Sequence, residues 1–158
     1  FGLKKIGYGY ESFCSGKQRN LIYLNDKNFN FIPLICYEII YSGKININKD
    51  NTNIIINISE DGWFGDSVGP HQHFSHAIFR AIEEGKNIIR STNNGVSAFI
   101  NTNGVVVSKL DSTKKGLIEI NKYKKFNETF FSKFGNKIFF YVIIFYFILI
   151  LFLKRRET

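Results

Sequence analysis

A block of sixteen residues without a single charge, 138–153, limits what this chain can fold into more than any other feature. It reads IFFYVIIFYFILILFL and is followed at once by KRR. As a helix it spans roughly 24 Å, and residues 134–137, whose lysine can reach back to the interface, bring it close to the ~30 Å of a bilayer core. The block is apolar on every face, which disfavours the alternative of a buried core helix. We therefore predict a C-terminal transmembrane helix.

The distribution of charge favours a membrane over a nucleic acid as partner. The net charge is +8, and residues 122–158 carry eight of the 21 basic side chains but only two of the 13 acidic ones. Lipid headgroups attract basic residues that flank an apolar span. We expect contact with membrane lipid and no nucleic-acid partner. Basic residues lie on both sides of the block, so the charge count leaves its orientation open.

The chain begins with Phe1 and contains no methionine, so we expect a segment of a longer protein. Its two cysteines, Cys14 and Cys36, allow one disulfide at most and have no metal-binding spacing.

Three histidines, His71, His73 and His76, lie close together in the stretch HQHFSH. Only the second and third share a helix face, and no acidic residue lies among them. This favours a solvated helix start over a metal site. We expect neither a metal nor another cofactor.

Short apolar runs alternate with a helical pattern in the first three quarters of the chain. We predict strands at 31–35, covered on both faces, and at 53–58, 87–91, 96–101 and 116–120, with a hairpin at Asn103-Gly104. Between them, an apolar stripe with i, i+3, i+4 spacing starts after Gly69-Pro70 and stops at Gly85, which predicts a helix. The order predicts an α/β domain with a mixed, largely buried sheet.

Cys36 ends the first of these strands, and Glu38 follows two residues later. A cysteine in such a place can be a small buried hydrophobe or a nucleophile. A carboxylate next to a buried strand needs a partner, and the turn after the strand offers backbone N–H groups to a developing oxyanion. The polar loop NISEDGWFGDSVGP follows the next strand at the same sheet edge, where ligand sites of α/β folds lie.

Three stretches, PLICYEIIYSG, NISEDGWFGDSVGPHQHFSHAIFRAIEEGKNIIRSTNNGVSAFINTNG and the terminal apolar block, resemble the apolipoprotein N-acyltransferases, inner-membrane members of the nitrilase (carbon-nitrogen hydrolase) superfamily. The resemblance runs from about Phe31 to the end of the apolar block. It implies part of a nitrilase-like α-β-β-α sandwich followed by one transmembrane helix. It also implies transfer of an acyl chain from a phospholipid to the N-terminal cysteine amine of a diacylated lipoprotein.

The resemblance also implies roles for individual residues. Cys36 is the nucleophile that carries the acyl chain as a thioester, Glu38 orients the catalytic triad, and the backbone N–H of Tyr37 faces the oxyanion. Trp63, Phe64 and Gly65 form a loop that lines the acyl-chain entrance, although the two aromatic residues could equally seal the sheet edge.

The family's triad glutamate and lysine precede the cysteine, and none of Lys4, Lys5 and Lys17 lies in a matching context. We therefore expect the parent protein to be catalytic and this segment alone to be inactive.

The resemblance further implies the bacterial inner membrane, with the catalytic part facing the periplasm. The expected organisation is a catalytic part at 1–125, a juxtamembrane linker at 126–137, a transmembrane helix at 138–153 and a basic tail at 154–158. Two alternatives are a membrane-tethered amidase of the nitrilase type and a membrane-anchored binding domain without catalysis.

Overall fold

The computed structural model describes residues 19–24, 29–45, 51–121 and 128–156. Short 3-10 helices, Cys36–Ile40 and Gly62–Phe64, follow the second and third strands. The remaining elements are β1 (Ile22–Leu24), β2 (Phe29–Ile35), β3 (Ile54–Glu60), α1 (Gly69–Glu84), β4 (Asn87–Asn93), β5 (Ser97–Ile100), β6 (Val106–Leu110), α2 (Phe130–Phe134) and α3 (Lys137–Arg156).

The six strands form one mixed sheet in the order of the chain. Strands β2, β3 and β4 are parallel, whereas β1, β5 and β6 join as antiparallel neighbours. Helix α1 connects β3 to β4, as a parallel pair requires. The predicted α/β domain with a mixed sheet is confirmed.

Helix α1 covers one face of this sheet. Its Ala77 and Ala81 are fully buried, and these small side chains let the helix lie close to Leu34, Ile55 and Ile88 of the central strands. The helix begins with Pro70 near its first position, where the missing N–H costs no hydrogen bond. It ends at Gly85, whose φ of 62° is the left-handed conformation that glycine adopts readily. The predicted stop at Gly85 is confirmed, whereas Gly69 and Pro70 lie in the first turn of the helix and not ahead of it.

Strands β5 and β6 form the predicted hairpin. The Asn101 side chain accepts hydrogen bonds from the backbone N–H groups of Asn103 and Val105, both at 3.0 Å. Gly104 has a φ of 78°, and a Cβ there would lie 2.7 Å from the side chain of Ile82 on α1. Glycine thus allows both the turn and its close approach to the helix.

Two sequence predictions about the sheet are wrong. Residues 116–120 form no strand, and Leu117 is 89% exposed because none of the described residues pairs beyond β6. Among the described residues, the sheet is also not covered on both faces at the carboxyl ends of β2 and β3. Ile35 and Ile58, on the face away from α1, are 60% and 54% exposed within the described chain. These two exposed apolar side chains lie on a part of the sheet face that no described residue covers.

Helix α3 is the one described helix that is long and apolar enough to cross a membrane, with 20 residues and a mean hydropathy of 2.3. It contains the predicted block 138–153. Helix α2 precedes it and exposes Phe130 and Phe134, whose ring centroids are 4.6 Å apart. Phe126, the first residue of the predicted juxtamembrane linker, lies outside the described residues.

Side-chain hydrogen bonds tie α2 and the start of α3 to the sheet domain. The Ser132 hydroxyl donates to the Glu84 carboxylate on α1 at 3.2 Å, and Thr129 donates to the Glu83 carbonyl. The Asn136 amide donates to the Ser42 carbonyl at 3.4 Å. The apolar helix therefore starts next to the segment that follows Cys36–Ile40.

Candidate active site

The parallel strands β2, β3 and β4 all end at the same edge of the sheet. Glu60 at the end of β3 pairs with Asn93 at the end of β4, and Ile35 at the end of β2 pairs with Ile58. Cys36 follows β2 directly, and Asp61 follows β3. The strand order therefore brings the predicted nucleophile and an acidic residue to one edge.

Cys36 turns the chain sharply out of the sheet. Its φ is 49°, a left-handed conformation that costs a residue with a side chain on the order of 1–2 kcal/mol. The residue is half-buried, and the Ser59 hydroxyl lies 3.5 Å from its sulfur. Such strain persists only where surrounding contacts hold it, and it is common at functional sites. We use the term elbow for this turn, Cys36–Ile40.

Two buried side chains contact the backbone carbonyl of Cys36. The Asn57 amide donates to this oxygen at 3.3 Å and to the Leu34 carbonyl at 3.1 Å. The His73 Nε2 atom, on α1, lies 3.3 Å from the same oxygen. The exposed fractions of Asn57 and His73 are 0% and 2%. The elbow is thus held from the interior.

A buried ionic network supports both contacts. Asp61 accepts hydrogen bonds from Ser59 at 2.8 Å and from Arg90 at 2.8 and 3.1 Å, and its Oδ1 lies 2.9 Å from His73 Nδ1. Arg90 also donates to the side-chain oxygen of Asn57. The register explains this last contact, because Asn57 and Arg90 are paired on neighbouring parallel strands. We call Asn57, Asp61, His73 and Arg90 the buried network.

The network determines the charges near the elbow. Burial by itself raises the pKa of Asp61, but the hydrogen bond from His73 and the charge of Arg90 outweigh it and leave that pKa lowered. Burial lowers the pKa of Arg90, and the charge of Asp61 and its hydrogen bond oppose that effect. Asp61 and Arg90 therefore stabilise each other's charged forms inside the network.

The two ring nitrogens of His73 face different partners. Its Nδ1 lies 2.9 Å from a carboxylate oxygen of Asp61 and 3.2 Å from a guanidinium nitrogen of Arg90, and its Nε2 faces the carbonyl oxygen of Cys36. A carbonyl oxygen only accepts hydrogen bonds, so Nε2 is the donor in the contact with Cys36. The prediction of a solvated helix start is wrong for this residue, although it holds for the exposed His71. Among the described residues, no group of three or more His, Cys, Asp and Glu side chains could hold a metal ion.

Glu38, whose side chain is partly exposed, stabilises the elbow through two hydrogen bonds. One carboxylate oxygen accepts the Ile35 backbone N–H at 2.7 Å, and the other accepts Arg19 at 3.1 Å. Arg19 in turn donates to the carbonyls of Lys44 and Ile45 at 3.0 and 3.2 Å. Glu38 thereby links the end of β2 to the segment after the elbow.

The three predicted entrance residues have different surroundings. Trp63 is 74% exposed. The Phe64 ring lies 6.2 Å from that of Tyr37 and 5.6 Å from that of His73, and a Cβ at Gly69 would lie 2.5 Å from it. Phe64 thus packs over the elbow and the start of α1.

Gly65 has a φ of 54°, which a larger residue would adopt only with strain. This glycine ends the 3-10 helix that carries the two aromatic residues.

Glu60 holds the loop after β3 at the sheet edge. It accepts hydrogen bonds from the Gly62 backbone N–H at 2.6 Å, from Asn94 at 3.2 Å and from Asn93. The hydrogen bonds from Asn94 and Gly62 lower its pKa. The ends of β3 and β4 are joined in this way.

The structure thus brings Cys36, Tyr37, Phe64 and the contacts of Glu38 together at one edge. The sequence analysis did not predict the contacts of the buried network. Two signals were present, since Asn57 interrupts the apolar run NIIINI and Arg90 interrupts NIIRS. A buried polar side chain needs a partner, but the sequence does not say which one. Lys4, Lys5, Lys17 and Cys14 lie outside the described residues.

Residues 10–121 match the family model described as carbon-nitrogen hydrolase. An apolipoprotein N-acyltransferase from Wigglesworthia glossinidia brevipalpis is 43% identical over 130 residues, which are 82% of this chain and 26% of the relative. Another, from Rickettsia bellii (strain RML369-C), is 37% identical over 152 residues, which are 96% of this chain and 30% of the relative. The chain thus spans between a quarter and a third of these relatives.

Among solved structures, an amidase from Nesterenkonia sp. is similar with a TM-score of 0.49 and 14% identity. The match covers 64% of this chain and 40% of the amidase.

Proposed function

Because the chain belongs to the carbon-nitrogen hydrolase family and has a nitrilase-like fold with a mixed sheet, we propose that it is part of an N-acyltransferase. The acyl donor is a phospholipid, and the acceptor is the N-terminal cysteine amine of a diacylated lipoprotein. The relatives named apolipoprotein N-acyltransferase support this choice. The observation that carries it is the left-handed, half-buried Cys36 at the sheet edge.

The proposed reaction has two steps through a thioester. In the first, the Cys36 thiolate attacks the ester carbonyl carbon of the phospholipid, and the C=O electrons move to the oxygen. The tetrahedral species then collapses, the C–O bond breaks, and the lysophospholipid alkoxide leaves and takes up a proton. In the second, the lipoprotein amine attacks the thioester, a C–N bond forms, the amine gives up a proton to a base, and the thiolate is released.

The residues of this chain contribute position to these steps. A free cysteine is only a few per cent ionised at neutral pH, so the reaction needs a base that takes the proton of Cys36. The Tyr37 backbone N–H is the proposed donor to the oxyanion, and Glu38 fixes the elbow through the Ile35 N–H. The triad glutamate and lysine are proposed to belong to a part of the parent protein outside this chain.

The open sheet face supports the proposal that this segment alone is inactive. Ile35 and Ile58 expose 60% and 54% of their surface on the face opposite α1. The chain also spans at most about a third of the compared relatives. We propose that another part of the parent protein covers this face and completes the site.

Helix α3 supports a location in a membrane, which we propose to be the bacterial inner membrane with the catalytic part on the periplasmic side. The proposed organisation is a catalytic part at 1–125, a linker at 126–137, a membrane helix at 138–153 and a basic tail at 154–158. Trp63, exposed in the loop with Phe64 and Gly65, is proposed to meet the acyl chain.

The test uses the intact protein in phospholipid micelles with a synthetic diacylated lipopeptide. Mass spectrometry should detect a triacylated product and, without acceptor, an acyl group on Cys36. Cys36→Ser should abolish turnover through the thioester, whereas Cys14→Ser should retain transfer. Free fatty acid in place of the triacylated product would favour the amidase alternative. A wild-type protein that never carries an acyl group on Cys36 would favour the binding-domain alternative.

A further inference from the structure

One peptide unit contains both the carbonyl of Cys36 and the N–H of Tyr37. A trans peptide is planar, and its C=O and N–H point in opposite directions. The carbonyl oxygen points to the interior, where Asn57 Nδ2 and His73 Nε2 each lie 3.3 Å away. The Tyr37 N–H must therefore point away from the buried network.

This orientation needs support because Cys36 is strained. A residue with a side chain at a φ of 49° gains energy by relaxing to negative φ, and that relaxation would rotate the adjacent peptide. A rotated Cys36–Tyr37 peptide would turn the N–H away from the reacting carbonyl. The two donors to the Cys36 oxygen oppose this rotation.

Both donors are themselves fixed. His73 is on α1 and bonds to Asp61 at 2.9 Å, while Asn57 is on β3 and bonds to the Leu34 carbonyl at 3.1 Å and to Arg90. Asp61 and Arg90 also bind each other at 2.8 Å with both side chains fully buried. We call these two donors, Asn57 and His73, the clamp. The clamp is therefore built on a rigid strand and a rigid helix, as a preorganised site requires.

We propose that His73 and Asn57 are positioning residues that lock the Cys36–Tyr37 peptide so that the Tyr37 N–H donates to the oxyanion formed at the acyl carbon. The proposal rests on the proposed acyl transfer, in which sulfur attack moves the carbonyl electron pair onto oxygen. The ligand of this N–H is thus an ester or thioester carbonyl oxygen in its tetrahedral state. Neither side chain touches the acyl group.

Two reactions of the Cys36 sulfur distinguish positioning of the Tyr37 N–H from a general contribution to the fold. Acylation of Cys36 by a p-nitrophenyl ester passes through an oxyanion, whereas alkylation by iodoacetamide does not. Loss of one oxyanion donor typically costs 10²–10³ in rate. A clamp with one of its two donors removed should cost less, on the order of 10- to 100-fold in acylation.

The experiment measures both rates in the intact protein with His73→Leu, His73→Gln and the control His71→Leu. His71 is the same residue type on the same helix, but it is exposed. We expect His73→Leu to slow acylation by about 10- to 100-fold while its alkylation rate stays within about threefold of wild type. His73→Gln should recover part of the acylation rate because its amide can donate to the carbonyl. The control should match wild type in both reactions.

Equal losses in acylation and alkylation would overturn the inference, because they indicate damage to the thiolate or the fold. Unchanged acylation in both His73 variants would overturn it as well. If His73→Leu does not fold, His73→Gln is read by the same two rates, since it keeps a polar group in the buried site. A wild-type protein whose Cys36 is not acylated at all would instead refute the proposed function and this inference with it.

Discussion

Replacing Asp61 with asparagine removes the negative charge that faces Arg90 inside the buried network. Both side chains are fully buried, and the nearest nitrogen and oxygen are 2.8 Å apart. Two unit charges about 4 Å apart attract by about 4 kcal/mol at an effective dielectric constant of about 20. Breaking a buried pair by removing one partner costs about 3–5 kcal/mol, because the other charge is left without its counter-ion. We expect the free energy of unfolding to fall by that amount.

The exposed pair of Lys109 and Asp111 provides a matched control. Its nitrogen and oxygen are 3.0 Å apart, but the two side chains are 58% and 47% exposed. Exposed ion pairs contribute about 0–1 kcal/mol because water and salt screen them. Asp111→Asn is therefore the same chemical change at a similar distance, and it should lower the free energy of unfolding by less than about 1 kcal/mol.

Pulse proteolysis of the intact protein across a urea gradient measures both changes as shifts of the unfolding midpoint. A double variant, Asp61→Asn with Arg90→Met, adds a further check. If the cost arises from the unpaired charge, the double variant should be more stable than Asp61→Asn alone. Equal midpoints for Asp61→Asn and Asp111→Asn would refute the reasoning that burial makes the first pair important.

Three further predictions concern the site and its surroundings. Because the pKa of Asp61 is lowered in the folded protein, the contribution of Asp61 to stability is complete above about pH 4 and is lost as the pH falls through the folded-state pKa. Urea unfolding midpoints measured down to about pH 2 should therefore depend less on pH in Asp61→Asn than in the wild type. A side chain at Gly95 would overlap the Asp61 carboxylate, so Gly95→Ala should lower the free energy of unfolding in urea by about 1–3 kcal/mol. In the control Gly116→Ala the new Cβ would have no contact nearer than 3.5 Å, and the free energy of unfolding should change by less than about 0.5 kcal/mol. Trp63→Ala should leave the thermal midpoint nearly unchanged because its side chain is 74% exposed, whereas Phe64→Ala should lower it because that ring packs over the elbow.

The elements of this chain follow from local patterns in its sequence. Gly69-Pro70 and Gly85 mark the ends of α1 because they act on the backbone of the residues beside them. The apolar runs mark β2, β3 and β4, and the uncharged block marks α3, since length and hydrophobicity are properties of a single segment. Cys36 could be placed at the end of a strand for the same reason. The exception, 116–120, has strand-like composition but no neighbour beyond β6 among the described residues.

Only the tertiary structure decided how the elbow is held. Asn57 lies opposite Arg90 through the parallel register of β3 and β4, and the partners Asp61 and Arg90 are 29 residues apart in the chain. His73, placed among solvated residues by its local pattern, is buried because α1 turns that face onto the sheet edge. The left-handed conformation of Cys36 depends on these distant contacts. Local sequence thus determined where the thiol lies, whereas long-range packing decided the direction of the peptide that follows it.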